Sequence, residues 1–139
     1  MKKQQWLATI AIFLTMGVIL LGAYTRLTDA GLGCPDWPGC YGFLKVPHQE
    51  HHIAQAEQAF PERPLEPHKA WNEMVHRYFA GSLGLLIAAI FFVAMFNRQS
   101  PKLLPSVLLA LVVFQAALGM WTVTLNLLPL VVMGHLLGG

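Results

Sequence analysis

Two histidines in the most apolar parts of the chain have side chains suited to binding haem iron or another metal ion. His76 stands at the entrance of one apolar segment, and His135 is the only titratable side chain from Leu103 to Gly139. Ionisable side chains inside a membrane span are costly and usually functional. Histidines from two facing helices commonly bind haem iron, whereas the alternative for His135 is a hydrogen bond to a neighbouring helix.

The positions of the two histidines predict similar depths. We expect His76 about one turn inside its helix, and His135 follows Pro129 by six residues, or about 9 Å. If both helices enter from the same side, the imidazoles face each other. The glycines near them allow close helix packing or leave room for a flat macrocycle; they are Gly81, Gly84, Gly134, Gly138 and Gly139.

Charged residues accompany His76. Glu73 precedes it by three residues, which puts both side chains on one face of a helix and favours a functional cluster. The alternative is an interfacial pair in which Glu73 and Arg77 reach towards lipid headgroups. Arg77 and Arg26 stand at the edges of apolar segments, where each is a membrane anchor or a bidentate donor to a haem propionate.

The chain has two cysteines, Cys34 and Cys40, separated by five residues that include two prolines and a glycine. They lie in a segment that we predict to face an oxidising compartment, so a disulfide is the expected state. A structural cross-link over so short a loop contributes about 2 kcal/mol. The alternative is a redox pair that exchanges with a partner thiol, although the spacing is not that of a C-x-x-C motif.

Composition restricts the class of protein. The chain is 55% hydrophobic and 12% charged, against about 25% charged residues in soluble domains. All seven acidic residues lie between Asp29 and Glu73, and the bases form no cluster longer than Lys2-Lys3. These features exclude a soluble globular domain and a disordered charged tail, and they argue against nucleic-acid binding.

Four apolar segments predict an all-α membrane protein, a four-helix transmembrane bundle whose runs are too long for barrel strands. We expect spans at about 6–25, 74–97, 103–124 and 129–139, with a loop at about 26–72. A cleaved signal peptide is the alternative for the first span, but its apolar run is long and no A-x-A site follows. The last ten residues reach only about 15 Å, so we expect residues 1–139 to be the N-terminal transmembrane half of a longer protein.

The distribution of Lys and Arg predicts the orientation. These residues are dense before the first span and in the connector 97–102, and sparse in the loop 26–72. We therefore expect a cytoplasmic N-terminus and a periplasmic loop, in a bacterial inner membrane. Within the loop, residues 53–60 are expected to form a short surface helix.

Four strings in order carry a resemblance to a known family. They are Thr25–Cys40, which contains TRLTDAGLGCPDWPGC, the pentapeptide Glu73–Arg77, then Gln115–Thr124 and Pro129–Leu136. Together they closely resemble the N-terminal half of the haem A synthase family, which are cytochrome oxidase assembly proteins. The likeness covers nearly the whole chain except the middle of the loop.

The resemblance implies an eight-helix protein of two pseudo-symmetric halves that oxidises the C8 methyl group of haem O to a formyl group. It implies that His76 and His135 are the axial ligands of haem O, that Glu73 is a carboxylate needed for activity, and that Cys34 and Cys40 are the loop pair. A second half, absent here, would bind haem b, so this chain alone would not be a complete enzyme. The implied partners are the lipid bilayer, haem O synthase or other oxidase-assembly factors and a second copy of the protein, without nucleic acid.

Three alternatives stay open from the residues alone. A b-type electron-transfer cytochrome shares two histidine ligands but needs neither Glu73 nor the cysteine loop. A membrane thiol oxidoreductase would pass electrons from Cys34 and Cys40 to a quinone and make His135 incidental. A non-catalytic assembly protein would only store or transfer haem.

Overall fold

The polypeptide forms α-helices joined by one long and three short connections. The computed structural model describes residues 2–139, with side chains from residue 5 onward. The helices are α1 (Lys2–Leu27), α2 (Glu50–Ala59), α3 (Pro67–Phe96), α4 (Leu103–Thr124) and α5 (Pro129–Gly138). Within the described range the only β-type pairing is an isolated bridge between Cys40 and Phe43. The prediction of an all-α membrane protein is confirmed.

Three of the helices are long and apolar enough to cross a membrane. They are α1 from residue 5 onward, α3 and α4, while α5 is apolar but has only ten residues. Large apolar side chains such as Phe13 and Phe96 are exposed along them, at 74% and 86%. Such surfaces are stable against lipid and not against water, so the protein is an integral membrane protein.

The helices pack in the order of the chain. α1 packs on α3, α3 packs on α4, and α4 packs on α5. Among the described residues no other pair of helices has Cα atoms within 8 Å. The two helices that carry His76 and His135, α3 and α5, therefore both contact α4 but do not contact each other.

Helix α3 begins at Pro67, seven residues before the span that the apolar pattern indicates at 74. Proline suits the first turn of a helix because its missing N–H has no partner to lose there. With 30 residues, α3 is about 45 Å long and exceeds the hydrocarbon core of about 30 Å. His76 therefore lies nine residues into the helix instead of one turn, and the first turns of α3 project beyond the apolar region.

Residues 28–66 fold over one end of the bundle, and we call this segment the cap. The cap and the start of α3 share a small core consisting of Cys34, Cys40, Tyr41, Val46, Ala56, Ala70 and Met74. Tyr41 packs edge-on against Phe60 with ring centroids 5.6 Å apart, and its hydroxyl donates to the Pro64 carbonyl at 3.1 Å. Helix α2, Glu50–Ala59, corresponds to the short helix predicted at 53–60 but begins three residues earlier and ends one residue earlier. The cap is thus a folded unit and not a flexible connection.

Candidate functional site

His76 on α3 lies directly against Gly22 on α1. A methyl group placed on Gly22 would stand 3.0 Å from Cε1 of the imidazole and 3.5 and 3.6 Å from its two nitrogens. The carbonyl group of Val18, one turn earlier on α1, faces the same ring. Because glycine has no side chain, the imidazole reaches the backbone surface of the neighbouring helix.

His135 on α5 makes the corresponding contact with Gly119 on α4. A methyl group on Gly119 would stand 3.2 Å from Cε1 of the imidazole and 3.5 Å from Nε2. The carbonyl group of Gln115, one turn earlier on α4, faces this ring. The two histidines therefore occupy equivalent positions on two different helix pairs.

The two contacts lie at the same level of the bundle. Gly22 is five residues before the end of α1 and Gly119 is five residues before the end of α4, about 7.5 Å in each case. Both ends are on the cap side, because Arg63 of the cap donates a hydrogen bond to Asn126 in the α4–α5 turn.

Each of these imidazoles has a buried nitrogen that lacks a partner. In the part of the chain that the structure describes, Nδ1 of His76 and Nδ1 of His135 accept and donate no hydrogen bond. Buried polar groups in proteins are nearly always paired. An unpaired imidazole nitrogen is the donor atom by which histidine binds haem iron, so both residues fit the haem binding that the sequence predicts for them. Residues 5–139 contain no cluster of three or more His, Cys, Asp or Glu that would suit a bare metal ion.

Glu73 is a buried carboxylate with 4% of its surface exposed. Its Oε2 accepts a hydrogen bond from the backbone N–H of Cys34 at 2.8 Å, and its Oε1 pairs with Arg77 at 2.5 Å. Glu73 and Arg77 are four residues apart, which brings their side chains together on one face of α3. Both carboxylate oxygens thus face the cap and Arg77, while His76 lies three residues further along the helix.

Arg77 holds the cysteine loop against α3. Its guanidinium group donates to the carbonyl oxygens of Asp36 at 2.9 Å, Pro38 at 3.4 Å and Gly39. The contact with a propionate that the sequence suggests for Arg77 stays a prediction, and these bonds would compete with it. Arg26 is exposed and has no ion pair within residues 5–139. Its predicted propionate contact has no such competitor.

The predicted disulfide between Cys34 and Cys40 is confirmed. Both cysteines are fully buried, so neither sulfur is accessible to a partner thiol in this conformation. The carboxylate of Asp36 closes the loop by accepting from the backbone N–H groups of Tyr41 at 2.6 Å and Gly42 at 2.8 Å. This environment favours the structural interpretation of the cysteine pair over thiol exchange.

A glycine lets the cap approach α3 closely. A methyl group on Gly33 would lie 2.5 Å from the backbone carbonyl of Lys69, a separation that real atoms do not adopt. The amide of the next residue, Cys34, is the one that reaches Glu73. Gly33 therefore allows the backbone of the cap to bind the carboxylate that lies beside the histidine.

The two glycines that contact the histidines are not evident from the sequence. The glycines expected there lie close to His76 and His135 along the chain, but a methyl group added to Gly81 or Gly84 would have no atom within 4 Å. The contacts come instead from Gly22 and Gly119 on neighbouring helices. The one feature that could have identified Gly22 and Gly119 is that each lies five residues before the cap-side end of its helix.

The sequence of this chain is similar to the sequences of known proteins. A family model described as "Cytochrome oxidase assembly protein" matches residues 5–139. The chain is 58% identical over 134 residues to the heme A synthase of Shewanella oneidensis, covering 96% of this chain and 41% of that protein. It is 31% identical over 136 residues to the heme A synthases of Sinorhizobium fredii and Rhizobium meliloti, covering 88% of this chain and 37% of each. The chain thus spans about two fifths of these relatives, and no solved structure matches it.

Proposed function

The chain belongs to the cytochrome oxidase assembly protein family, and we propose that it forms the haem O site of a heme A synthase. Its similarity to heme A synthases implies an oxidoreductase-type enzyme with haem-related chemistry. In our proposal haem O is the substrate, and its C8 methyl group is oxidised to a formyl group to give haem A. We assign this activity to the whole protein, because the chain spans only about two fifths of the length of its relatives.

The observation that carries the proposal is the pair of equivalent imidazoles. His76 and His135 lie at the same level of the bundle, each against a glycine of a neighbouring helix, and each retains a buried nitrogen without a partner among the described residues. We propose that they are the two axial ligands of haem O. The iron porphyrin supplies the redox chemistry, and the two helix pairs supply its position.

Glu73 is the group that we propose to hold or transfer a proton beside the substrate. It is the only buried carboxylate among residues 5–139, and it lies three residues from His76. Both of its oxygens already accept hydrogen bonds, from Cys34 and Arg77. To receive a proton it must therefore weaken one of these bonds, which would couple the proton transfer to the cap.

The proposed orientation, second haem and partners rest on the sequence. The cap would face the periplasm and the N-terminus the cytoplasm of a bacterial inner membrane, as the charge distribution predicts. The other three fifths of the relatives' length would bind haem b. An enzyme that produces haem O is the proposed source of the substrate, and self-association stays a prediction.

The test replaces each histidine in the native full-length protein, expressed in a strain that lacks its own haem A synthesis. Extracted haems are separated by chromatography for His76→Ala, His135→Ala and the exposed cap variant His48→Ala as control. We expect haem A from the control, and haem O without haem A from the other two. Normal haem A from either variant would remove that histidine from the site.

The same extracts distinguish the alternatives. A b-type electron carrier would produce no formyl haem even as the unmodified protein. A thiol oxidoreductase would keep its function without His135 and lose it without Cys34 and Cys40. The burial of both sulfur atoms gives that alternative no support.

A further inference from the structure

We propose that Gly22 and Gly119 are positioning residues, each of which fixes the imidazole of an iron-binding histidine by offering it a bare helix backbone. The inference rests on the proposed function, since it takes His76 and His135 to be haem ligands. It assigns a role to residues on α1 and α4, the two membrane-spanning helices that carry no proposed ligand themselves.

The contact distances single out these glycines. A methyl group on Gly22 would stand 3.0 Å from the ring of His76, and one on Gly119 would stand 3.2 Å from the ring of His135. Both values are shorter than ordinary van der Waals contacts. In the described part of the chain no other glycine has an imidazole atom among the three nearest contacts of an added methyl group.

The part of the ring that would be struck is the part that binds metal. In both histidines the nearest atom is Cε1, which lies between Nδ1 and Nε2. An added methyl group would press on the edge that carries both nitrogens and would have to displace the ring. Since buried side chains are packed tightly, a displacement of a few tenths of an ångström at His76 is transmitted to whatever the ring binds.

The geometry is repeated on the two helix pairs, which makes a chance contact a poor explanation. Each glycine is five residues from the cap-side end of its helix, and the carbonyl group four residues earlier faces the same histidine. Those carbonyls belong to Val18 and Gln115. Helix propensity favours alanine over glycine inside a helix, so local helix stability gives no reason for glycine at either position.

The consequence is a specific effect on haem binding. Groups that orient a metal ligand without touching the metal change affinity by about 10–100-fold when they are altered. We therefore expect Gly22→Ala and Gly119→Ala to weaken haem retention by about 10-fold or more. Where haem remains, part of it should change from the low-spin form with two histidines to a high-spin form with one.

The experiment uses the native full-length protein purified in detergent. Haem per polypeptide is measured, and the spin state is read from the absorption and electron paramagnetic resonance spectra. The control is Gly17→Ala on α1, whose added methyl group would meet Phe79 at 4.0 Å, an ordinary contact. This control gains the same helix propensity and should keep normal haem content and spin state.

Variants of the two histidines distinguish a failure of the positioning role from a failure of the proposed function. If His76→Ala and His135→Ala lose haem but both glycine variants keep normal spectra, the positioning role is overturned and the proposed function stands. If the histidine variants also keep normal haem, the proposed function itself fails. Thiol titration of Cys34 and Cys40 after denaturation reports whether the disulfide of the cap has formed. Loss of haem together with the disulfide, or equal loss in the Gly17→Ala control, would overturn the positioning role, because the effect would then be general.

Discussion

The carboxylate of Glu73 accepts a hydrogen bond from the backbone N–H of Cys34 at 2.8 Å. One buried side chain thus joins the disulfide loop of the cap to the helix that carries His76. The same carboxylate pairs with Arg77, which in turn binds three carbonyl groups of that loop. The cap is therefore joined by hydrogen bonds and an ion pair to Glu73 and Arg77, the two residues that flank His76 on α3.

Glu73 has a structural role and a proposed proton-transfer role, and two substitutions separate them. Glu73→Ala removes one partner of a buried ion pair, and we expect it to destabilise the cap by about 3 kcal/mol. Glu73→Gln keeps an acceptor for the Cys34 amide, so the cap should fold, while haem A production should fall strongly because no proton can be taken up. Thermal unfolding and haem extraction measure the two effects, and wild-type haem A yield from Glu73→Gln would exclude the proton role.

Arg77 binds the loop through the shape of its guanidinium group as well as its charge. Lysine presents a single compact ammonium and cannot span the carbonyls of Asp36 and Gly39 together with Glu73. We expect Arg77→Lys to loosen the cap, so that dithiothreitol reduces the disulfide faster than in the wild type. Arg26→Lys is the matched control, since Arg26 is exposed. Equal reduction rates in all three proteins would contradict this interpretation.

Much of the fold follows from the sequence because apolar length determines it. Runs of about 20 apolar residues can satisfy their backbone in lipid only as helices, which is why α1, α3 and α4 are predictable. The start of α3 is not, because its first turns are polar and depend on contacts with the cap. The disulfide is predictable from two cysteines in a short loop with prolines and glycine.

The site is predictable only in part. The residue types identify His76 and His135, and the helical spacing relates Glu73 to His76. Which glycine faces which histidine depends on how α1 and α4 are rotated about their axes, and apolar segments with little amphipathic pattern do not encode this. The carbonyl contacts of Arg77 also depend on the folded loop, so the sequence indicates a propionate as readily as a backbone partner.

The cysteine pair should be dispensable for haem binding if the disulfide is structural. Closing a loop this short contributes about 2 kcal/mol in the chain-entropy model, and Glu73 and Arg77 hold the same loop independently. We expect the double variant Cys34→Ser, Cys40→Ser to unfold at a lower temperature but to retain haem and produce haem A. Haem content and extracted haems give the readout. Loss of haem A with normal haem content would instead indicate that the thiols take part in the reaction.

Tyr41 should make the stability of the cap depend on pH in the alkaline range. Its side chain is buried, and burial raises the pKa of its hydroxyl above the ordinary value of 10.0. Because the folded pKa exceeds the unfolded one, this contribution is complete below about pH 10 and is lost as the pH rises through the folded pKa. Ionisation also removes the hydrogen bond to the Pro64 carbonyl.

The comparison of wild type with Tyr41→Phe isolates this effect. The variant loses the hydrogen bond at every pH, which costs about 1 kcal/mol, but has no phenol to ionise. At neutral pH the wild-type cap should therefore be the more stable, and the difference should shrink and then reverse as the pH rises above about 10. Reduction of the Cys34–Cys40 disulfide after brief exposure to each pH reports the stability of the cap. A difference that stays constant up to pH 12 would mean that Tyr41 ionises with the same pKa in the folded and unfolded chain, which would contradict the raised pKa.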